Sequence, residues 1–409
     1  MDITNRKGEL AAFLLFSFFF VISFLLAAYT PVLGAYIPLI FLLSGLINRI
    51  PYRILLSLIS IISFSFITGS KFYASGNIGD DFGGLYYKLF IWIWQGETIF
   101  FKDFSGGAEF FLPLYFKIIQ LFFGFIKPQF LLVAVSFPIL LMFYVWLELF
   151  GLKKIPTGYK GICIATSLAL FAFILTGQYM RQEFGSVFLI FALSFYFEKK
   201  YYKSFAFLFL ACIAHLTSII IFPLFIILMS NWKSLKNSLV ISSLLASVFF
   251  STLIIILSNT GVLGVASYKL LFYANGDAGV NGLAFPSFAK FLLPCVFFAM
   301  FFFSSEEEHI KYKSLLVYGT FCYISLSLVP VLPNRLYNLL GAFYIGYLFF
   351  LSFYKEIRLL QLIMLLYISY RIYATIYTFD YHIMGFSGAS QGLWYSYDWS
   401  GSSFLYFLN

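Results

Sequence analysis

Apolar runs recur along the whole chain, separated by short charged or glycine-containing stretches. Residues 10–28, 129–147, 161–180, 204–232 and 237–268 each reach or exceed the roughly 18 residues that carry a helix across a bilayer. None of these runs alternates polar with apolar positions, so a transmembrane β-barrel is excluded. The pattern predicts spans over 9–29, 33–48, 54–70, 110–126, 129–150, 161–179, 182–197, 204–230, 237–257, 288–303, 314–330, 337–354 and 359–378. It describes an all-α polytopic membrane protein of about 11–13 transmembrane or re-entrant helices in a single domain over 1–409. No fixed-period repeat and no separate soluble domain interrupts it.

Charge then orients the helices. Sixteen of the 26 Lys and Arg fall in seven clusters: Arg6-Lys7, Arg49/Arg53, Lys153-Lys154/Lys160, Lys199-Lys200/Lys203, Lys233/Lys236, Lys311/Lys313 and Lys355/Arg358. As cytoplasmic loops they leave residues 71–109, 258–287, 330–335 and 379–409 on the outer face. Arg6 and Lys7 resemble the start of a signal peptide, but the apolar stretch behind them is too long for a signal core and reads as a retained first helix.

Helix parity is strained in two places. Between the outer loop ending near Glu109 and the cluster at Lys153, two apolar segments stand where one crossing is needed. Either 110–126 is a half-membrane helix or the amphipathic stretch 85–101 also crosses. The run 204–230 lies between two inner clusters, and half of it is about 20 Å of helix against a hydrocarbon core of about 30 Å. A broken or re-entrant pair is expected there, with His215-Leu-Thr-Ser218 at its midpoint; the alternative is one long span with inverted topology beyond it.

Composition agrees: 62% of the 409 residues are hydrophobic, 23% aromatic and 11% charged, where a soluble protein carries about a quarter charged. The net charge of +9 lies in scattered loop clusters and not in a stripe, which argues against nucleic acid. The 57 Phe and 30 Tyr exceed what any site requires. Cys163, Cys212, Cys295 and Cys322 fall in or at the edge of predicted spans without paired spacing or a Cys/His metal pattern, so no metal is expected. No Walker loop, nucleotide-binding glycine motif or nucleophile elbow is present, which disfavours ATP-driven or serine-hydrolase chemistry.

In so apolar a chain, polar residues within or beside spans are the informative ones. Arg181, in Gly177-Gln-Tyr-Met-Arg-Gln-Glu183, is either an interfacial anchor or a phosphate ligand whose planar fork of donors matches phosphate oxygens. Arg335 and Arg371 have the same two readings, and three outward arginines together suggest a bound polyanion such as a diphosphate. Glu183 reads as a partner for Arg181 or for a hydroxyl. His215, alone in an apolar stretch, is a buried structural imidazole or a general base. His309 sits in the charged loop Glu306-Glu-Glu-His-Ile-Lys311 and reads as solvated; His382 is uninformative. The outer loop holds Asp80, Asp81, Glu97, Asp103 and Glu109, five of the seventeen acids. A carboxylate there could deprotonate a sugar hydroxyl or bind a metal, or the acids simply make a solvated loop, while Tyr86, Tyr87, Trp92 and Trp94 offer interfacial or sugar-stacking surface.

The order of these features, a Gly-Asp loop with Tyr86, then Glu109-Phe-Phe-Leu-Pro, Met180-Arg-Gln, Glu198-Lys-Lys, Ala211-Cys-Ile-Ala-His-Leu-Thr-Ser218 and Asn334-Arg-Leu-Tyr337, resembles the EpsG/Wzy-type family of bacterial polysaccharide polymerases. The resemblance covers about residues 70 to 340; Tyr86 stands one position later after Asp81 than the family pattern would have it. It implies a GT-C-like bundle in the bacterial inner membrane that polymerises undecaprenyl-diphosphate-linked repeat units at the periplasmic face, as in O-antigen or capsular polysaccharide synthesis. No cofactor is then needed, because the carrier diphosphate is the leaving group. The implied partners are the lipid-linked oligosaccharide, membrane lipids and a chain-length regulator protein. On that reading His215, Asp80, Asp81 and Glu109 are the catalytic candidates, Arg181, Arg335 and Arg371 hold diphosphate, and Tyr86, Trp92 and Trp94 face sugar. A flippase or other transporter, an O-antigen ligase and a membrane acyltransferase are the rival readings. A transporter usually repeats its broken helices in related halves, and the sequence offers one candidate break, near His215, without a counterpart.

Overall fold

A computed structural model describes residues 3–69, 81–249, 288–327, 329 and 332–377. Every regular element among the described residues is helical, as the apolar runs require. In chain order the helices are α1 (Ile3–Tyr29), α2 (Pro31–Leu43), α3 (Ile50–Gly69), α4 (Tyr87–Trp94), α5 (Phe111–Phe123), α6 (Pro128–Trp146), α7 (Lys160–Ala169), α8 (Leu175–Gln178), α9 (Met180–Phe197), α10 (Tyr201–Ala214) and α11 (Ser218–Met229). They continue as α12 (Lys233–Val248), α13 (Ala289–Phe302), α14 (Glu307–Ser325), α15 (Leu332–Leu336), α16 (Ile345–Ser352) and α17 (Ile357–Tyr377). Wider π-type turns, Phe82–Tyr86 and Leu147–Gly151, lead into α4 and prolong α6. A third, Leu339–Tyr344, leads into α16.

Ile50–Gly69, Pro128–Gly151 and Ile357–Thr375 are long and apolar enough to cross a membrane. At about 1.5 Å per residue, the 13 residues of α5 and the 8 of α4 cover about 20 and 12 Å, less than the hydrocarbon core. The run 204–230 is two helices, with His215 extended at φ −155°, ψ 112° between them. The segment 161–179, expected as one span, is also interrupted: α7 ends at Ala169 and α8 starts at Leu175. No proline or glycine lies in the gap. Tertiary packing overrides helix propensity there, with Phe171 stacked on Phe143 (4.9 Å between centroids) and Phe173 against Phe64 (4.5 Å).

The chain divides into two compact units, residues 1–218 with 357–409, and 219–356. In the first, α1, α2 and α3 pack on one another, α3 packs on α6, α2 on α7 and α17, and α9 forms a hairpin with α10. Small residues let the backbones approach: a Cβ on Gly34 would lie 2.5 Å from that of Ala27. Two buried hydroxyls of α3 show how such groups are satisfied across and within helices, Ser60 donating to the Ala35 carbonyl at 2.8 Å and Thr68 to that of Phe64 at 3.1 Å.

Arg53, read from sequence as part of an inner-loop cluster, is buried. Its Nε and Nη2 donate to the two carboxylate oxygens of Glu148 at 2.9 and 2.7 Å, and Nη1 donates to the Asn48 carbonyl at 2.8 Å. Tyr144 completes the cluster by donating its hydroxyl to Glu148 Oε1 at 2.7 Å.

In the second unit α12 packs on α14, and α13 on α14 and α16. Lys236 is buried, its ammonium donating to the Ser230 carbonyl (2.9 Å) and to Ser314 Oγ (2.6 Å). His309 corrects the sequence reading. It is 2% exposed, with Nδ1 2.6 Å from Ser304 Oγ and its ring edge-on to Tyr354, because α14 begins at Glu307 and turns this position inward while the glutamates stay outside.

Candidate functional site

The site forms in the first unit, where the chain must bring a carboxylate to the start of α9. The turn Ser105-Gly106-Gly107 has three successive positive φ values, 52°, 69° and 95°. Two glycines adopt that left-handed path at little cost, so the chain reverses within three residues. The Gly107 and Glu109 amides both donate back to the Phe104 carbonyl, at 2.9 and 3.3 Å, which fixes Glu109 beside Phe104 ahead of α5. The aromatic face of α5 then docks on α9: Phe111 meets Phe184 and Phe188, each at 5.1 Å, and Tyr115 meets Phe184 at 5.3 Å.

Arg181, in the first turn of α9, receives what this docking delivers. Its Nη1 donates to Glu109 Oε2 in a tight ion pair, and its guanidinium carbon lies 3.8 Å from the centre of the Phe104 ring, a cation–π contact. The Tyr86 hydroxyl is a further hydrogen-bond partner of the guanidinium. Tyr86 is held on the π-type turn 82–86, whose entry is anchored by the Asp81 amide donating to Gln178 Oε1 at 3.1 Å. The Arg181 side chain remains 20% exposed, and its buried Nε has no hydrogen-bond partner among the described residues.

The break after α10 supplies the third member. One turn along α9 from Arg181, Gly185 lets the broken segment come close: a Cβ there would sit 3.0 Å from His215 Cβ and 3.2 Å from Ser218 Oγ. His215 Nδ1 lies 3.2 Å from Glu109 Oε1, and the same oxygen accepts the Leu216 amide at 2.8 Å. That amide is one the helix break leaves without an intrahelical acceptor.

Glu109 is therefore 2% exposed yet gripped by a guanidinium, an imidazole and a backbone N–H. Burial by itself would raise its pKa. The His215 contact, the Arg181 charge and the Leu216 amide outweigh it and bring the carboxyl from about 4.5 to about 2. A carboxylate this stabilised is a poor base near neutral pH. What it does well is orient: it faces Nδ1 of the imidazole, which favours the tautomer protonated there and leaves Nε2 as the basic nitrogen.

Of the residues chosen from sequence, Glu109, Arg181, His215 and Tyr86 come together. Asp81 lies alongside through its backbone; Asp80 lies outside the described residues. Tyr86 is buried, whereas Trp92 and Trp94 are exposed on α4, beside Phe101 and Phe125 respectively. Arg371 sits on α17, its Nε donating to the Tyr36 hydroxyl at 3.2 Å. Arg335 belongs to the second unit, on α15, where neighbouring Asn334 accepts the Tyr323 hydroxyl at 2.7 Å. Glu183 is fully buried, and the ion pair of Arg181 is made with Glu109, 72 positions earlier. Sequence reasoning missed Phe104, the Leu216 amide and Gln178. The Ser-Gly-Gly turn was the one available signal for the first; the amide follows from any break at His215. Among the described residues, no group of three His, Cys, Asp or Glu side chains is placed to hold a metal ion.

The profile of the EpsG family matches residues 54–399, a stretch containing Glu109, Arg181 and His215 together with most of both units. The chain belongs to the EpsG family. No curated protein and no solved structure matches it. Membership in the EpsG family makes this a membrane protein of the polysaccharide-polymerase kind, a glycosyltransferase in the broad sense.

Proposed function

We propose that this EpsG-family protein joins lipid-linked oligosaccharide repeat units, taking a glycan on undecaprenyl diphosphate as donor and a repeat unit on the same carrier as acceptor, at the periplasmic face of the inner membrane. The observation that supports this most directly is that one carboxylate, Glu109, holds both a guanidinium with unused donor capacity and an imidazole whose Nδ1 faces it.

The chemistry requires those two groups. The acceptor hydroxyl oxygen attacks the donor's anomeric carbon, the bond from that carbon to the diphosphate oxygen breaks, and polyprenyl diphosphate leaves. His215 Nε2 takes the hydroxyl proton. Arg181 meets the negative charge that develops on the departing diphosphate, a position where a preorganised cation acts more strongly than in water. Glu109 and Phe104 hold the guanidinium in place, and Trp92 and Trp94 offer exposed aromatic faces for sugar rings. Arg335 and Arg371 are further candidates for diphosphate contact, and Asp80 and Asp81 are further carboxylates of the outer segment. A chain-length regulator protein would be the natural partner of such a polymerase.

The reading is tested with purified protein and its lipid-linked repeat unit in the absence of nucleotide. A ladder of longer glycans is expected, and it should be lost in His215→Ala and Arg181→Ala. Movement of the unit across a vesicle membrane without any ladder would instead identify a transporter. Asp80→Cys and Arg335→Cys should react with an impermeant thiol reagent from the periplasm; labelling of both from the cytoplasm would overturn the orientation.

A further inference from the structure

Three loops remote in sequence converge at one end of the first unit. The loop after α2 meets the start of α7: a Cβ on Gly45 would lie 3.4 Å from the Gly158 carbonyl oxygen, and one on Gly161 would lie 2.9 Å from that of Leu42. The turn after α6 is tied to the α9–α10 turn by Glu198, which accepts Lys153 Nζ at 2.9 Å and Lys200 Nζ at 2.7 Å. Residues 44–53, 148–160 and 198–203 together carry eight Lys and Arg against two carboxylates, Glu148 and Glu198. Glu148 is already engaged by Arg53, so the excess of positive charge falls on exposed groups, among them Lys154, Lys199 and Lys203.

This face has an apolar continuation. Tyr202 is 95% exposed, and Phe205 and Phe209, at 70% and 54%, follow it along one stripe of α10. Lys199 and Lys203 stand beside the head of that stripe. Cations and a tyrosine above exposed phenylalanines is the side-chain order of a protein surface passing from headgroups into acyl chains. Arg181 and Glu198 stand seventeen positions apart near the two ends of α9, about 25 Å of helix, close to the thickness of the hydrocarbon layer.

We propose that the convergent loops form a binding surface for the phosphate headgroups of anionic phospholipid, in the leaflet away from the Glu109–Arg181–His215 site. A water-soluble acidic protein would match the charge but would leave the phenylalanine stripe unexplained; lipid accounts for both.

The experiment reconstitutes the full chain in phosphatidylcholine bilayers and compares spin-labelled phosphatidylglycerol with spin-labelled phosphatidylcholine at the protein surface. A preference for phosphatidylglycerol of at least about fivefold is expected at low salt, the factor that a single lysine near an anionic surface contributes. It should collapse toward parity in 0.5 M salt, on the order of a 5 Å screening length. The combined variant Lys154→Gln, Lys199→Gln, Lys203→Gln should abolish it while the ladder assay is unchanged. If that variant does not fold, the salt titration of the unaltered protein decides the matter by itself. Equal association of the two lipids would overturn the proposal. So would indifference to phosphatidylglycerol combined with saturable binding of a poly-glutamate peptide, which would make the partner an acidic protein.

Discussion

The first unit contains two arginine–carboxylate pairs of opposite design. In the Arg53–Glu148 pair both carboxylate oxygens meet the guanidinium fork, Asn48 takes the remaining edge, and the Arg side chain is 2% exposed. In the Arg181–Glu109 pair the exposure is reversed: the carboxylate is 3% exposed and the arginine 20%. There one guanidinium nitrogen meets one oxygen, the other oxygen serves His215 and Leu216, and Nε is unused among the described residues. The first pair uses its donors on the fold. The second spends its carboxylate on holding two other groups and leaves part of its cation open, which is how a structural ion pair differs from one able to meet a ligand.

The contrast breaks if the two arginines respond alike. Arg53→Ala leaves Glu148 without its partner in the interior, and a loss of about 3–5 kcal/mol in unfolding free energy is expected. Denaturant titration in detergent measures it, and the specific activity of the folded fraction should be unchanged. Arg181→Lys keeps the charge but loses the planar fork. The ladder-forming rate should fall about 100-fold, the order seen when one preorganised donor is removed, with little change in stability.

Glu109→Gln is expected to lower the rate by about tenfold through misplacement of Arg181 and His215. It also carries a pH signature. The native carboxyl ionises near 2 against about 4.5 in the ordinary state, so its contribution to stability is complete above pH 4.5 and is lost as the pH falls from there to about 2. Glu109→Gln should flatten the stability profile in that acid window and leave it parallel to the parent at neutral pH. An unaltered acid slope would mean that Glu109 is not the gripped carboxylate.

The sequence made the helical bundle legible because apolar runs of bilayer length have few other uses. It also singled out Arg181, His215 and Glu109, since a polar residue in such a chain is conspicuous. It could not pair them. Glu183 is two residues from Arg181 and Glu109 is 72 away, and only the fold of the α5 entry makes the distant one the partner. Arg53 shows the same limit, its carboxylate lying 95 positions along. Phe104 had no chance of standing out among 57 phenylalanines, although the glycine pair behind it marked a sharp turn. The interruption between α7 and α8 was invisible because no proline or glycine marks it; Phe171 and Phe173 within the gap pack instead on rings of other helices.

The turn at Ser105–Gly107 has an evolutionary corollary. Phe104 and Glu109, the ring beneath the guanidinium and the counter-charge beside it, are separated by a fixed step of chain whose amides fold back on the Phe104 carbonyl. That step works as a ruler: inserting or deleting one residue within it would shift the ring or the carboxylate out of register with Arg181. A change of length across these few positions would therefore disturb the site more than most substitutions of the side chains around them.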